Sequence, residues 1–300
     1  MRLSLPCAAL AVALLAACQP VRSDAPATAP VATTPATPEA STVPADDNLN
    51  AVLWVQRAAE YRAAAIQTYR AAADHLDQAL AEPNWDALVP SERDNPGHGL
   101  KPAVVLDIDE TVLDNSPYQA RLVRDGTEYS DPSWDAWVEE RRAKPVPGVL
   151  DFARAASAKG ITLLYISNRA VHLKQATLDN LRQAGLPVAD DHVFLGLGTY
   201  VEGCEQEGTE KDCRRRLAGR QYRVLMQFGD QLGDFVHIDA NTPEGRRAVL
   251  DQYDDWFGER WWMLPNPTYG SWEPALFDND WRQPREARRA AKRAALDVAP

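Results

Sequence analysis

Short apolar runs separated by helical patterns occupy the chain between residues 100 and 235. Each run is bounded by polar residues, which is typical of buried strands. Strands are therefore predicted over residues 104–106, 161–166, 193–195 and 222–228. Helices are predicted over residues 149–159, with Gly160 as the C-cap residue, and over residues 171–184.

A longer amphipathic pattern precedes the first strand. Between Leu49 and Ala81, apolar residues recur at spacings of three and four, which predicts one helix with a single packing face. The members of this face are Trp54, Ala58, Tyr61, Ala65, Tyr69, Ala72, Leu76 and Leu80. Pro83 ends the helix because the residue before a proline disfavours the α conformation. Residues 83–100 are expected to be an irregular connection, and residues 282–300 a basic helical tail.

Two carboxylates follow the first strand. Asp107 and Asp109 stand where this strand opens into a loop, and open α/β sheets bind ligands at the carboxyl ends of their strands. Side chains alternate along a strand, so both carboxylates are expected on one face, where they repel unless a cation or a shared proton intervenes. Mg²⁺ fits because it prefers oxygen ligands and leaves room for a phosphate. A solvated acidic turn is the alternative for an isolated Asp-x-Asp.

Two further strands also end in polar residues. Ser-Asn-Arg at 167–169 follows the second strand, where a hydroxyl and backbone amides can hold a phosphoryl oxygen, although the same tripeptide is common in turns. The strand at 222–228 leads into Gly-Asp-x-x-x-Asp, which places Asp230 and Asp234 at its end. These acids either complete an oxygen shell around a divalent ion or cap a helix.

These motifs resemble those of the haloacid dehalogenase phosphatase superfamily. Asp-Ile-Asp-Glu-Thr-Val-Leu-Asp-Asn-Ser from residue 107, and Met-Leu-Pro-Asn followed by Tyr-Gly-x-Trp-Glu from residue 263, are similar to its class C acid phosphatases, the lipoprotein e family. The resemblance covers roughly residues 50–280 and implies an α/β fold, a doubly wound, mostly parallel, Rossmann-like sheet with a small inserted cap. Residues 115–145, rich in aromatic side chains, are expected to form that cap.

The resemblance implies a phosphomonoesterase domain over residues 49–300, with Asp107 as the nucleophile that forms an aspartyl phosphate. Asp109 is expected to protonate the leaving alkoxide and then to activate water, so an acidic pH optimum is expected. One Mg²⁺ per active site is implied. Its ligands would be Asp107, the backbone carbonyl of Asp109, Asp230 and, directly or through a water, Asp234.

The resemblance also assigns the groups that bind phosphate. Ser167 and Asn168 match the second motif of the family, and Lys211 matches its lysine-containing third motif. A lysine ammonium suits a transferring phosphoryl group. The spacing around Lys211 departs from the family pattern, so Arg214 is kept as the alternative. For an isolated lysine in a charged run, a solvated surface position is the default.

Two tyrosines are candidates for stacking on the organic part of a substrate. Tyr118 lies close to the first motif, and Tyr269 lies in the Tyr-Gly-x-Trp-Glu segment. Either ring can also belong to the core. The implied substrates are small phosphomonoesters, namely 5′-nucleotides (nucleoside monophosphates) and aryl phosphates. His237 and Asp239 are interpreted as structural.

The first residues of the chain indicate export. Residues 1–18 combine one positive charge with a short apolar segment, as signal peptides do, and Leu-Ala-Ala-Cys at 15–18 resembles a bacterial lipobox. An acylated Cys18 would anchor the chain, and Gln19 favours the outer membrane, facing the periplasm or the surface. The alternative is cleavage at a small-residue site with Cys18 incidental. Residues 19–48, rich in Pro, Ala and Thr, are expected to form a disordered tether.

The cysteines and the net charge add further expectations. With Cys7 in the leader and Cys18 lipidated, Cys204 and Cys213 are expected to form a disulfide, and a zinc site is less favoured because no His is nearby. The formal net charge of −11 argues against nucleic acid as a partner. The oligomeric state stays open, with a homodimer as one option. A phosphotransferase on the same fold and a non-catalytic surface lipoprotein are the rival functions.

Overall fold

The computed structural model describes residues 46–299, so the predicted leader with Cys18 and most of the predicted tether lie outside the described residues. The helices are Leu49–Arg57 (α1), Ala59–Ala81 (α2), Ser116–Asp125 (α3), Asp131–Glu139 (α4), Val149–Ala158 (α5), Lys174–Gln183 (α6), Asp212–Gln221 (α7), Pro243–Gln252 (α8) and Arg285–Ala294 (α9). The strands are Lys101–Leu106 (β1), Leu113–Asp114 (β2), Lys144–Pro145 (β3), Thr162–Ala170 (β4), Phe194–Leu197 (β5), Tyr222–Gly229 (β6) and Trp261–Met263 (β7). Within this described range, none of the helices combines the length and the apolarity needed to cross a membrane.

The central sheet has five strands in the order β5-β4-β1-β6-β7, and every neighbouring pair is parallel. In β1, Val104 is opposite Leu163 of β4 on one side and Met226 of β6 on the other. The residues from Ala103 to Leu106 are all buried, as expected for the central strand of a parallel sheet flanked by helices. The predicted α/β fold with a mostly parallel sheet is confirmed, and each predicted strand overlaps an observed one.

The helix predicted over residues 49–81 is interrupted, so the prediction of one continuous helix is wrong at Ala58. That residue is extended, with φ −74° and ψ 132°, and separates α1 from α2. The break allows α1 to pack on α3 while α2 packs on α5. The buried side chains of α1 are Val52 and Val55 rather than Trp54, which is 36% exposed. Because the sequence here contains no proline or glycine, only tertiary packing reveals the break.

Two elements give no clear signal in the sequence. No residue of α8 is buried, and its apolar residues are consecutive at 248–250 rather than spaced by three and four, so the sequence shows no apolar stripe. The helix is capped instead by Thr242, whose side-chain oxygen accepts a hydrogen bond from the Gly245 amide at 3.0 Å. The strand β7 has only three residues and adds an edge to β6.

Residues 115–145 contain α3 and α4, and the strands that flank the two helices form a separate antiparallel pair, β2 with β3. The side-chain amide of Asn180, on α6, fixes the end of this segment. It donates to the Ala143 carbonyl at 2.9 Å and accepts from the Ala143 amide at 3.1 Å. The carboxyl end of the segment is thus tied to helix α6.

Candidate active site

The polar residues predicted at three strand ends meet at one edge of the sheet. Because β4, β1 and β6 are adjacent and parallel, their carboxyl ends bring together Ser167, Asp107 and Asp230. Gly229 is the last residue of β6. A glycine is required at this position because a Cβ there would collide with the side chain of Asp234. The missing side chain lets the Asp234 carboxylate fold back and accept hydrogen bonds from the amides of Asp230 at 3.0 Å and Gln231 at 2.8 Å.

Three carboxylates form the centre of this edge. Asp107, Asp230 and Asp234 each contribute an oxygen, and these oxygens lie within 4.8 Å of one another. Burial, reinforced by Asp234, raises the pKa of Asp230 to about 7. Burial also raises the pKa of Asp107 well above its ordinary value, although Lys211 opposes this shift. Carboxylate oxygens are hard donors, and three carboxylates this close repel one another unless a cation lies between them. The cluster therefore suits a divalent cation that prefers oxygen ligands, such as Mg²⁺.

Lys211, the residue that precedes α7, places its side chain in the same cluster. Its ammonium contacts Asp107 Oδ1, donates to Asp234 Oδ1 at 2.7 Å and donates to the Ile166 carbonyl at 3.0 Å. Burial alone would lower the pKa of Lys211, but the two carboxylates outweigh it and the pKa is raised. Lys211 therefore stays charged beside Asp107.

Arg214, the alternative to Lys211, lies one helical turn further on and has different contacts. Its guanidinium donates to the Ser167 carbonyl at 2.6 Å and to Asn168 Oδ1 at 2.8 Å. Arg214 thus braces the turn after β4, whereas Lys211 is the cation that contacts Asp107. The side-chain oxygen of Asn168 thus accepts a hydrogen bond from Arg214, and binding of phosphate by Asn168 stays a prediction.

The carboxylate of Asp109 lies outside the cluster of three and is held by a second cation. Arg169 donates to Asp109 Oδ1 through Nε at 2.9 Å and through Nη2 at 2.7 Å. Asn115 Nδ2 donates to the same oxygen at 2.8 Å, and the Ser167 hydroxyl donates to Oδ2 at 3.3 Å. Charge-assisted forks of this kind fix both the position and the plane of a carboxylate.

Glu110 is a site residue that received no role from the sequence. It is buried and has φ +60°, a conformation that non-glycine residues seldom adopt. Its Oε1 accepts from the Asn115 amide at 2.8 Å, and its Oε2 accepts from the Tyr269 hydroxyl. Burial, followed by the charge of Asp109, raises the pKa of Glu110 well above its ordinary value. The signal that could have found it is its place inside the Asp-x-Asp-Glu-Thr motif.

Asp230 is oriented by neutral donors that the sequence did not identify. Gln231 Nε2 and Asn266 Nδ2 donate to Asp230 Oδ2 at 2.7 and 2.8 Å, and the Thr111 hydroxyl donates to Oδ1 at 3.3 Å. Asn266 belongs to the Met-Leu-Pro-Asn segment, so this recognised motif contributes a site residue as well as a family signature. Three donors without charge orient the carboxylate and leave its charge uncompensated.

The two predicted stacking tyrosines have different positions. Tyr118 is buried within residues 115–145, where its hydroxyl bonds to Ser133 Oγ at 2.8 Å and its ring meets Trp134 edge-on at 5.2 Å. The structure does not support substrate stacking by Tyr118, because other aromatic rings already cover it. Tyr269 is half-buried beside the first motif, with its hydroxyl on Glu110. Its stacking role stays a prediction.

Two smaller predictions also have structural outcomes. Cys204 and Cys213 form a disulfide, as predicted, and their bonded sulfurs are not available to a zinc ion. Cys213 is the second residue of α7, so the disulfide closes the loop that carries Lys211. His237 lies between Glu210 at 3.5 Å and Asp239 at 3.6 Å. This position at the margin of the site is compatible with the structural role assigned to it.

Comparison with known proteins yields a consistent group. The family model described as HAD superfamily, subfamily IIIB (acid phosphatase) matches residues 13–272. The crystal structure of the class C acid phosphatase from Bacillus anthracis, with tungstate bound, is similar with a TM-score of 0.73 and 34% identity, covering 84% of this chain and 98% of that one.

Two plant proteins show a more distant similarity. Acid phosphatase 1 of Solanum lycopersicum is 26% identical over 133 residues, 44% of this chain and 51% of its own length. Vegetative storage protein 1 of Arabidopsis thaliana is 26% identical over 167 residues, 55% of this chain and 54% of its own length. The chain thus spans about half the length of these relatives.

Proposed function

The chain belongs to the acid phosphatases of HAD superfamily subfamily IIIB, the class C type, and from that premise we propose that it is a metal-dependent phosphomonoesterase. The observation that carries the proposal is the state of Asp107. Its Oδ1 is held by Lys211, while no donor among residues 46–299 contacts its Oδ2. A fixed carboxylate with one free oxygen, next to a cation, has the arrangement that nucleophilic attack on a phosphate monoester requires.

The proposed reaction has two steps that this chain's own residues perform. Asp107 Oδ2 attacks phosphorus, which forms the aspartyl phosphate as the bond to the leaving oxygen breaks. Asp109 gives that oxygen a proton, then accepts a proton from the water that hydrolyses the intermediate. Ser167 and Lys211 hold phosphoryl oxygens during both steps.

A divalent ion, which we propose to be one Mg²⁺, would supply charge neutralisation at the phosphoryl oxygens. Asp107, Asp230 and Asp234 would hold it, together with the backbone carbonyl of Asp109. The fit rests on three carboxylates, buried at Asp107 and Asp234 and half-buried at Asp230, whose oxygens converge within 4.8 Å, and on the neutral donors around Asp230, which leave its charge uncompensated.

The experiment that tests this function is phosphate release from an aryl phosphate at mildly acidic pH. The purified protein is assayed with Mg²⁺, with a chelator, and with Mg²⁺ restored after chelation. We expect release that the chelator abolishes and Mg²⁺ restores. Release that is unaffected by the chelator would disprove the metal requirement, and no release from a folded protein would favour a non-catalytic binding role.

For substrates we propose 5′-nucleotides as well as aryl phosphates. Tyr269, fixed by Glu110 beside the first motif, supports a subsite for a flat organic group. A panel of nucleoside monophosphates compared with an alkyl phosphate tests this choice. A second measurement, with an added alcohol acceptor, separates hydrolysis from phosphotransfer because transfer yields a new phosphate ester.

For localisation we propose export and a lipid anchor on Cys18 at the outer membrane. The support is the lipobox-like sequence that follows the apolar segment of the leader. Incorporation of a labelled fatty acid should be lost in Cys18→Ser and retained in Cys7→Ser, a matched change within the leader. Labelling that persists in Cys18→Ser would contradict the anchor.

A further inference from the structure

Residues 266–271, which we call the Tyr269 segment, are hydrogen-bonded to Asp230, the residue that follows β6. The first residue of the segment, Asn266, donates through Nδ2 to Asp230 Oδ2 at 2.8 Å. Asn266 Oδ1 accepts from the amide of Thr268 at 2.9 Å and from its hydroxyl at 2.6 Å. The Asn266 side chain therefore links the fold of this segment to one of the three carboxylates proposed to hold the metal.

Gln231 makes a second link between the same segment and the same carboxylate. Its side-chain nitrogen donates to Asp230 Oδ2 at 2.7 Å and to the Tyr269 carbonyl at 3.3 Å. Its side-chain oxygen accepts from the Ser271 amide at 3.1 Å. One side chain thus bonds to a proposed metal ligand and to the backbone on both sides of Gly270.

Gly270 shows how closely Gln231 lies against the segment. A Cβ at Gly270 would lie 2.2 Å from Gln231 Oε1 and 2.5 Å from Nε2, closer than non-bonded heavy atoms approach. Only glycine therefore permits this contact. The fit confines the Gln231 amide between the segment and Asp230, so a shift of the segment must also shift the donor to Asp230.

The Tyr269 segment is also attached to the first motif. The hydroxyl of Tyr269 donates to Oε2 of Glu110, which is buried. Glu110 directly follows Asp109, the proposed acid. The segment therefore connects Asp230, on the side of the proposed metal ligands, with the neighbour of the proposed acid.

Asp230 is the member of this network whose position a cation would fix. The oxygens of Asp107, Asp230 and Asp234 lie within 4.8 Å of one another, and the ammonium of Lys211 bonds to Asp107 and Asp234. Repulsion from the other two carboxylates therefore acts on Asp230 until a cation binds. Hydrogen-bond donors behind a metal ligand hold it in its binding orientation, and their loss commonly lowers metal affinity by about 10- to 100-fold.

We propose that Gln231 is a positioning residue that couples the proposed metal site to the Tyr269 segment, so that a divalent cation at Asp230 and the placement of Tyr269 stabilise each other. The inference rests on the proposed metal-dependent phosphatase function and specifies how its site is organised. Because coupling between two sites is reciprocal, the cation should restrain the segment, and the segment should strengthen binding of the cation. Gln231 acts through the Asp230 carboxylate and through the backbone of the segment.

The first measurement is calorimetric titration of Mg²⁺ into the substrate-free protein at mildly alkaline pH. Gln231→Met keeps the length of the side chain and deletes its hydrogen bonds, so the affinity for Mg²⁺ should fall by about tenfold. Gln175→Met is the matched control, because the Gln175 side chain bonds to Asp179 on the exposed face of α6. This control should keep the wild-type affinity, and equal affinities of the two variants would overturn the proposal.

The second measurement is a double-mutant cycle with Tyr269→Phe, which deletes only the hydroxyl that bonds to Glu110. We expect the affinity for Mg²⁺ to fall roughly fivefold, because the segment is less well held. The same change should have almost no effect in the Gln231→Met background, where the link to Asp230 is already lost. An effect transmitted through the charge of Glu110 would persist in that background and would contradict the role of Gln231.

Hydrogen exchange measures the coupling in the other direction. Mg²⁺, compared with a chelator, should slow exchange of the Ser271 amide by about tenfold, since this amide bonds to Gln231 Oε1. In Gln231→Met the slowing should fall to roughly twofold or less. The Gly245 amide, which bonds to Thr242 at the start of α8, is the internal control and should not respond to Mg²⁺. Exchange at Ser271 that Mg²⁺ leaves unchanged in the wild-type protein would overturn the proposal.

The outcomes separate this inference from the function on which it rests. If the wild-type protein neither binds Mg²⁺ nor hydrolyses the aryl phosphate, the phosphatase proposal fails and the coupling fails with it. If the wild-type protein does both, and Gln231→Met matches Gln175→Met in Mg²⁺ affinity and in exchange at Ser271, only the coupling is overturned.

Discussion

The two aspartates of the first motif are two residues apart, yet their surroundings have different origins. Asp107 is contacted by Lys211, which also binds Asp234, so its half of the site comes from the loop after β6 and the residue before α7. Asp109 is held by Arg169 from β4 and by Asn115, which begins the segment 115–145. The first half is built without the inserted segment, and the second half is shared with it.

Because of this difference, a displacement of the inserted segment should affect Asp109 and not Asp107. Asn115 Oδ1 accepts from Trp137 Nε1 at 2.8 Å, and the guanidinium of Arg169 lies 5.6 Å from the ring centre of Trp134. Both tryptophans are on α4, so displacement of that helix would disturb the contacts of Asp109. The contacts of Asp107 do not involve α4. The proposed nucleophile is therefore fixed independently of the inserted segment, and the proposed acid is not.

The largest expected effect separates the two aspartates by leaving group. Asp107→Asn should reduce kcat on every substrate by about 10⁴-fold or more, because no intermediate can form. Asp109→Asn should reduce kcat strongly for an alkyl phosphate and less for a nitrophenyl phosphate, whose leaving group needs no proton. The measurement is kcat across leaving groups of increasing basicity. Equal losses for Asp109→Asn across the series would contradict its role as the acid.

The next effect concerns Lys211. Lys211→Met should lower kcat by roughly 10²- to 10³-fold, since it deletes the cation beside the transferring phosphoryl group and leaves Asp107 and Asp234 to repel each other. Lys101→Met, at the amino end of β1, is the control and should retain wild-type kcat. A loss below tenfold would show that Lys211 organises the carboxylates without acting on the phosphoryl group.

Arg169 offers the corresponding change in the other half. Arg169→Lys keeps the charge and loses the fork on Asp109, so kcat for an alkyl phosphate should fall by roughly tenfold. The loss should be smaller for a nitrophenyl phosphate, as for Asp109→Asn. Arg154→Lys on α5, whose side chain is 68% exposed, serves as the control. An equal loss on both substrates would place the effect of Arg169 on the fold rather than on Asp109.

The site contains features that the sequence predicts and features that it does not. The strand ends with Asp107, Asp230 and Ser167 were predictable because an apolar run followed by a polar group is a local signal. The contact from Arg169 to Asp109 spans 60 residues of sequence, and that from Tyr269 to Glu110 spans 159. Such contacts depend on how strands are ordered and loops are folded, which no local pattern contains.

The fold divides in the same way into local and long-range features. The parallel sheet follows from apolar runs alternating with helical patterns, and its order places the predicted ends side by side. The break at Ala58 could not be predicted, because the packing of α1 on α3 determines it and no helix-breaking residue marks it. Tyr118 was a reasonable stacking candidate by position, but its burial depends on the rings around it.

A further prediction uses the pKa of Asp230, which burial raises to about 7. As the pH falls below that value, Asp230 takes up a proton that a divalent ion must displace. The apparent affinity for Mg²⁺ should therefore decrease by about tenfold between about pH 8 and about pH 6. Calorimetric titration of Mg²⁺ at several pH values measures this change. An affinity that does not vary with pH would show that Asp230 is ionised before the metal binds.

The smallest expected effect concerns the disulfide. Cys204 and Cys213 are nine residues apart. A disulfide that closes a loop of that length lowers the entropy of the unfolded chain and so raises its free energy by about 2.5 kcal/mol. Cys204→Ser combined with Cys213→Ser should lower the free energy of unfolding by roughly that amount, as measured by chemical denaturation with and without a dithiol reductant. The folded protein should keep most of its kcat, because the ammonium of Lys211 is held by Asp107, Asp234 and the Ile166 carbonyl.

The same double variant tests whether the two halves are independent. If the loop moves without its disulfide, Lys211 is affected and Asp109 is not, so activity should fall equally for alkyl and nitrophenyl phosphates. A loss concentrated on alkyl phosphates would mean that the loop also positions Asp109. Two contacts of this loop reach the strand end that carries Ser167, whose hydroxyl donates to Asp109. Arg214, which follows Cys213, donates to the Ser167 carbonyl, and Lys211 donates to the Ile166 carbonyl. That result would replace two separately built halves by one connected site.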